Sequence, residues 1–272
     1  MRSHLIVVEG AHDAAVFGKL LRRLNYSSVQ RLADVPPFWE PLIPTKYPVD
    51  PGGRLDRIIV FPDIYISADE LTTVALSVAG SDTNLFPTLR AAIEIKKVAD
   101  FATLTVVADT DFAVTEEVRF QSLVQRLITL NAEAAAEGQQ GFPLSIPPKA
   151  GQLSGGSPKV GIHLWPGNGQ QGTLEEVLLE CAQAAYPVLR AEADAYGIQV
   201  NAKHPPGAPQ IAAFRTQSGQ LKSICGSIAT VLKPGASLAV SIRQSEWLPA
   251  AGAYPPSLQL ASDYLDALLA VT

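Results

Sequence analysis

The sequence of 272 residues contains few cysteines, no long apolar run and no excess of basic residues. Its two cysteines, Cys181 and Cys225, are too few for a disulfide framework and lack the spacing of a zinc site, so we interpret them as buried free thiols. Neither a run of roughly 18 apolar residues nor a basic leader with an apolar core is present, which predicts a cytoplasmic protein without a membrane span. The net charge of -5 gives no general attraction to nucleic acid, so such a partner would require a local basic patch or a bound metal.

Several common motifs of nucleotide-binding proteins and hydrolases are missing as well. The chain has no Walker A sequence, no Gly-x-Gly-x-x-Gly after a strand and no Gly-x-Ser-x-Gly elbow. What it does contain is 47% hydrophobic residues, which is typical of a globular protein. The length allows one large domain or two small ones, with a core of considerable size.

The first informative stretch joins a buried strand to an acidic turn. Four apolar residues from Leu5 to Val8 predict a strand that is buried on both faces, as in a parallel sheet. Glu9 and Gly10 follow at once, and an amphipathic helix begins near Asp13. Since ligands of open α/β sheets bind beyond the carboxyl ends of the strands, this turn is a candidate site.

A second acidic turn follows another apolar strand. Residues Thr103 to Ala108 lead into Asp109 and Asp111, and a helix is predicted from Thr115. If the extended conformation continues to Asp111, the two aspartates project to the same side. Neighbouring strands lie about 4.8 Å apart, so we expect these aspartates to meet Glu9. An oxygen-only cluster of this kind suits Mg²⁺ or Mn²⁺.

The remaining pattern predicts a mostly parallel sheet followed by helices. Two more parallel strands are expected at residues 71–79 and 160–165, and residues 57–67 favour an added edge strand. Residues 34–56 form a Pro-rich insertion, whose aromatic residues we interpret as anchors to the core rather than as a lid: Phe38, Trp39 and Tyr47. We expect residues 1–185 to form one α/β domain, and residues 186–272 to form a helical extension packed on it.

Glu175 is a further acidic candidate. It falls in the first turn of a helix that starts at Gly172 and Thr173, just beyond the strand at residues 160–165. There a glutamate either complements the positive end of the helix dipole or supplies another oxygen ligand, and both readings stay open.

The order of these motifs resembles the Toprim domain of topoisomerases, bacterial primases, overcoming-lysogenization-defect nucleases and recombination-repair proteins. The resemblance covers residues 3–185 and depends on Glu9-Gly10-x-x-Asp13 after one strand and Asp109-x-Asp111 after a later one. Gly80 matches a glycine that follows the family's second strand. Residues 160–180 also resemble a Toprim-related family of unknown biochemical function. The resemblance implies a Rossmann-like, three-layer α/β fold.

The resemblance also implies roles for the acidic residues. Glu9 would act as general acid or base and as a ligand, while Asp109 and Asp111 would hold Mg²⁺; Gly10, Asp13, Gly80 and Glu175 would support them. The implied activity is magnesium-dependent phosphoryl transfer, nuclease-like on nucleic acid or on another phosphate ester. One alternative is a non-catalytic Toprim-fold module for binding or regulation. A second is a phosphatase with Asp109 as nucleophile, although such motifs usually carry Thr or Val where this chain has Ala113.

Overall fold

A six-stranded sheet forms the centre of the part of the protein that the computed structural model describes, residues 1–43 and 61–271. Its strands are β1 (Arg2–Val8), β2 (Tyr26–Ser28), β3 (Asp63–Ser67), β4 (Thr72–Val78), β5 (Thr103–Asp109) and β6 (Lys159–Trp165). They lie in the order β2-β3-β4-β1-β5-β6. The last four are parallel, β3 runs antiparallel to β4, and β2 runs antiparallel to β3. The mixed α/β class and the mostly parallel sheet are confirmed.

Helices cover both faces of this sheet. They are α1 (Ala11–Arg23), α2 (Leu85–Ile95), α3 (Glu116–Ala136), α4 (Leu174–Ala185), α5 (Pro187–Lys203), α6 (Gln217–Leu232), α7 (Leu238–Gln244) and α8 (Pro256–Leu269). Because side chains alternate along a strand, β1 feeds two cores. Leu5 and Val7 pack with α2 and α3, while Ile6 and Val8 pack with α1 and the C-terminal helices. None of the described helices has the length and apolarity needed to cross a membrane.

The C-terminal helices share their core with the sheet. Ile242 of α7 and the nearby Trp247 are completely buried in the same cluster as α1. Two basic residues of α1 hold the segment that follows α7: Lys19 donates to the carbonyl oxygen of Ser245, and Arg23 donates to that of Leu248 at 2.6 Å. The basic side chains of α1 therefore serve this internal contact.

The start of the Pro-rich insertion is anchored to the core. Trp39 is completely buried, and its Nε1 donates a hydrogen bond of 2.9 Å to Thr73 Oγ1 at the start of β4. The centroid of the Phe38 ring lies 4.6 Å from that of the Trp39 ring, and the two rings pack edge to face. The anchoring interpretation is confirmed for these two residues, at the edge where the parallel strands begin. Tyr47 and the rest of the insertion from residue 44 onward lie outside the described residues.

The region around β3 differs from the sequence-based prediction. Residues 57–60 of the predicted edge strand lie outside the described residues, and β3 begins at Asp63. Strand β3 is not the edge strand of the sheet, because the three-residue β2 pairs with its outer side. Such a short strand leaves too little periodicity for a pattern to detect.

Candidate functional site

Acidic side chains gather at the edge of the sheet where the parallel strands end. Strands β1 and β5 are neighbours in register, with Val8 opposite Val107, so the turns that follow them start side by side. The first turns of α1 and α4 lie at this same edge and add one carboxylate each. We call the following set the acidic edge: Glu9, Asp13, Asp109, Asp111 and Glu175.

Glu9 is the half-buried carboxylate at the end of β1. Burial raises its pKa, and the negative charges of Asp82 and Asp111 raise it further, while the Arg119 guanidinium opposes the rise. The backbone of Gly80, at φ +82°, donates a 3.0 Å hydrogen bond to the Glu9 carbonyl oxygen. The two predicted residues thus lie in adjoining turns, and the positive φ accounts for a glycine at position 80.

Asp13 lies in the first turn of α1 with both carboxylate oxygens occupied. Oδ2 accepts the backbone N–H of Gly10 at 2.8 Å, and Oδ1 accepts Nε1 of Trp165 at 2.9 Å. Burial, followed by the charge of Glu9, raises its pKa to about 7 even though these hydrogen bonds favour the ionised form. Asp13 therefore ties the start of α1 to the end of β6.

Asp109, the last residue of β5, caps the start of α4. Its Oδ1 accepts the backbone N–H of Leu174 at 2.9 Å. Burial raises the pKa of Asp109 well above its usual range, and the charges of Asp13, Glu175 and Glu9 act in the same direction. This carboxylate thus has a helix N-terminus on one side and other carboxylates around it.

Asp111 does not continue the strand, so the prediction of an extended Asp109-x-Asp111 segment is wrong. Its backbone has φ +64°, in the left-handed region that aspartate tolerates better than most residues. It pairs instead with Gly172, through N–H···O bonds of 2.8 and 2.9 Å. The Asp111 side chain is exposed, yet its charge still acts on Glu9.

Glu175 points into the protein, and its neighbour Glu176 takes the capping role. Glu176 Oε2 accepts the backbone N–H of Thr173 at 3.1 Å. The side chain of Glu175 is only 5% exposed, and its buried Oε2 has no hydrogen-bond partner among residues 1–43 and 61–271. His12 Nδ1 lies 4.0 Å from Glu175 Oε1, and burial lowers the pKa of this histidine.

Three residues near the acidic edge were not among the sequence candidates. Arg119 donates to the carbonyl oxygen of Asp109 at 2.9 Å and to the Asp82 carboxylate. Trp165 holds Asp13. Asp82 follows β4, next to the predicted Gly80, so a search for acidic residues after every parallel strand would have found it. Neither Arg119 within a helix nor Trp165 within a strand gives a comparable signal.

The donor set of this edge fits a hard divalent cation in its chemistry. Its groups are carboxylates, and one buried oxygen of Glu175 accepts no hydrogen bond from the part of the chain that the structure describes. As the side chains stand, however, no three His, Cys, Asp or Glu residues in the described ranges are grouped so that they could hold a metal ion. Asp109, Glu175 and Glu9 are the residues that would approach one.

Comparisons with known proteins identify a family but not a function. No curated protein matches the chain. A crystal structure of a hypothetical protein from Pyrococcus horikoshii OT3 is similar, with a TM-score of 0.52 and 14% sequence identity over 98% of this chain and 95% of that one. At this identity the likeness concerns the fold alone. A family model described as a protein of unknown function, DUF3226, matches residues 3–254, and the chain therefore belongs to the DUF3226 family.

Proposed function

We propose that this protein is a divalent-metal-dependent phosphoryl-transfer enzyme with a Rossmann-like, Toprim-like domain. The proposed substrate is nucleic acid, cleaved in a nuclease-like reaction, or another phosphate ester. One observation carries the proposal: Asp13, Glu175 and Glu9 lie close enough to the buried Asp109 that their charges add to the effect of burial in raising its pKa.

Mutual repulsion in this set favours a bound cation. Two carboxylates about 4 Å apart repel by roughly 4 kcal/mol at an effective dielectric constant of 20. Burial first, and then the neighbouring charges, raise the pKa values of Glu9 and Asp109, and a carboxylate that keeps its proton avoids part of this cost. A divalent ion would relieve it more fully, and oxygen ligands suit Mg²⁺ and Mn²⁺.

The carboxylates of the acidic edge would have different roles in the proposed reaction. Asp109 and Glu175 would hold Mg²⁺ together with Glu9, and when bound this ion supplies Lewis-acid polarisation of phosphate oxygens. Burial, together with the charges of Asp82 and Asp111, raises the pKa of Glu9, which favours a role for this carboxylate in taking up a proton. Asp13 contributes by fixing the start of α1, because Gly10 and Trp165 occupy its oxygens.

Calorimetric titration with MgCl₂, followed by hydrolysis assays, tests this proposal. The double variant Asp109→Asn with Asp111→Asn should lose magnesium binding and turnover of DNA, RNA and bis(p-nitrophenyl) phosphate. A matched control, Asp34→Asn with Asp266→Asn, removes the same charge at exposed positions and should change neither property. Full activity of the first variant on every substrate would overturn the proposal.

A non-catalytic binding or regulatory module is the second candidate. The present positions of the side chains favour it, because no three His, Cys, Asp or Glu residues in the described ranges are grouped so that they could bind a metal ion. Magnesium binding without turnover of any phosphate ester would support it. A covalent phosphate on Asp109 during turnover would instead support the phosphatase alternative.

A further inference from the structure

Two arginines of α3 form hydrogen bonds to the turn that follows β4. Arg119 and Arg126 are seven residues apart and so lie on the same side of the helix. Arg119 Nη2 donates to Asp82 Oδ1, and Arg126 Nη1 lies 3.1 Å from both oxygens of this carboxylate. Arg126 also donates to the Asp82 carbonyl oxygen at 2.7 Å. Together these three residues form what we call the arginine clamp: Asp82, Arg119 and Arg126.

The clamp reaches the acidic edge through the backbone of Asp109. Arg119 Nε donates a 2.9 Å hydrogen bond to the Asp109 carbonyl oxygen, and the Arg119 side chain is only 13% exposed. One guanidinium therefore connects the turn after β4 with the turn after β5. Strand β1, which is followed directly by Glu9, lies between these two strands.

Among the described residues, no arginine donates to the Asp109 carboxylate. The Arg119 guanidinium bonds to the backbone of Asp109 and to the carboxylate of Asp82, so its hydrogen bonds organise the turn without neutralising the Asp109 side chain. A guanidinium is suited to this because its donors are fixed in one plane and reach two acceptors at once.

We propose that Arg119 is a positioning residue of the acidic edge, which fixes the backbone of Asp109 against the turn after β4 and so restricts where the Asp109 carboxylate can lie when a divalent cation binds. This inference rests on the proposed function, because it supplies a structural requirement of the same site. Groups that orient metal ligands without touching the metal typically contribute 10–100-fold to metal affinity.

Magnesium affinity of substituted proteins separates positioning from simple electrostatics. Replacing Arg119 by Gln removes a positive charge near the site, so electrostatics alone predicts tighter magnesium binding. Replacing it by Lys keeps the charge, and electrostatics alone then predicts no change. Positioning predicts weaker binding in both variants, because neither side chain reproduces the two-acceptor geometry of Arg119.

The experiment is calorimetric titration of the full chain with MgCl₂, with Arg90→Gln as the matched control. Arg90 joins α2 to α3 through Glu133 and Glu137, at the other end of α3 from the acidic edge. We expect Arg119→Gln and Arg119→Lys to bind magnesium about tenfold more weakly, and Arg90→Gln to match the unaltered chain. Urea unfolding of each protein verifies that all are folded at the titration temperature.

The possible outcomes distinguish this inference from the function on which it rests. If the unaltered chain binds magnesium and the Arg119 variants bind it equally or more tightly, the positioning role is wrong while the proposed function stands. If the unaltered chain does not bind magnesium, the proposed function and the positioning role both fail. Weaker binding in both Arg119 variants but not in Arg90→Gln supports the role.

Discussion

Glu9 and Asp13 are only four residues apart, yet their surroundings give them different tasks. Asp13 is buried with two hydrogen-bond donors on its carboxylate, so its place in the fold is fixed. Glu9 is half-buried, and this burial, followed by the charges of Asp82 and Asp111, raises its pKa. Environment, rather than residue type, thus separates a carboxylate whose two oxygens are held by donors from one that stays partly open to solvent.

Substituting Glu9→Gln should abolish turnover while magnesium binding is retained. Glutamine keeps the shape and one oxygen of the side chain but cannot transfer a proton, a role that typically contributes 10²–10⁴-fold to rate. The measurement combines hydrolysis of a phosphodiester with calorimetric titration of Mg²⁺. Glu192→Gln, at an exposed position of α5, is the control. A variant that retains normal turnover would remove Glu9 from the reaction.

Asp13 should make the stability of the protein depend on pH. Its pKa is raised from 3.8 to about 7, so between these values the unfolded chain is ionised while the folded chain keeps the proton. The Asp13 contribution to stability is therefore fully present below the lower value, falls as pH rises through this window, and is constant above it. Each pKa unit corresponds to about 1.4 kcal/mol.

Urea unfolding of the unaltered chain and of Asp13→Asn, in EDTA at pH 4.5 and pH 7.5, measures this effect. Asparagine cannot accept from both Gly10 and Trp165, so the variant should be clearly less stable at pH 4.5. The deficit should shrink or reverse at pH 7.5, because asparagine does not ionise. An equal deficit at both pH values would show that burial does not raise the Asp13 pKa.

Among the secondary-structure elements, those that contain a long stretch of apolar residues were predictable from the sequence. Strands β1, β5 and β6 each contain a mainly apolar stretch, and the acidic turns after β1 and β5 follow from these stretches directly. The pairing of Asp13 with Trp165 was not predictable, because it joins residues 152 positions apart. The left-handed turn at Asp111 was missed for a related reason: it depends on pairing with Gly172, which no local pattern records.

Trp39 should be the main anchor of the segment before the undescribed part of the insertion. Truncation to Ala removes a completely buried ring and its hydrogen bond to Thr73, which should cost about 3–5 kcal/mol of unfolding free energy. Leu32→Ala, at a side chain that is 66% exposed, should change stability by less than about 0.5 kcal/mol. Magnesium binding should persist, because Trp39 lies at the opposite edge of the sheet. Equal stability losses in the two variants would contradict the anchoring role.

Considered as a whole, the molecule has a sheet whose two faces are covered in different ways. Helices α2 and α3 cover one face and are connections between its strands. The other face is covered by α1 and by helices from the C-terminal part of the chain, and Trp247 and Leu265 are completely buried there. The C-terminal helices therefore complete the core of the sheet, in agreement with the contacts of Lys19 and Arg23.

A chain ending at Ala185 should consequently fail to fold as a well-packed domain. Without α6, α7 and α8, the apolar face of α1 and of β6 would be exposed to water. We expect loss of the near-ultraviolet circular dichroism signal and strong binding of a hydrophobic dye, compared with the full chain. Cooperative unfolding of the shortened chain as a stable monomer would show that residues 1–185 form an independent domain.

The central claim is that carboxylates from the ends of β1 and β5 and from the start of α4 share one divalent cation. Crystals of the full chain grown with MnCl₂ test it most directly, because the anomalous scattering of manganese locates the ion and its ligands together. The account predicts an anomalous peak at the acidic edge, with carboxylate oxygens of Glu9, Asp109 and Glu175 as its ligands. If the carboxylates are ordered at this edge but no anomalous peak is found there at saturating manganese, the claim of a shared cation is contradicted.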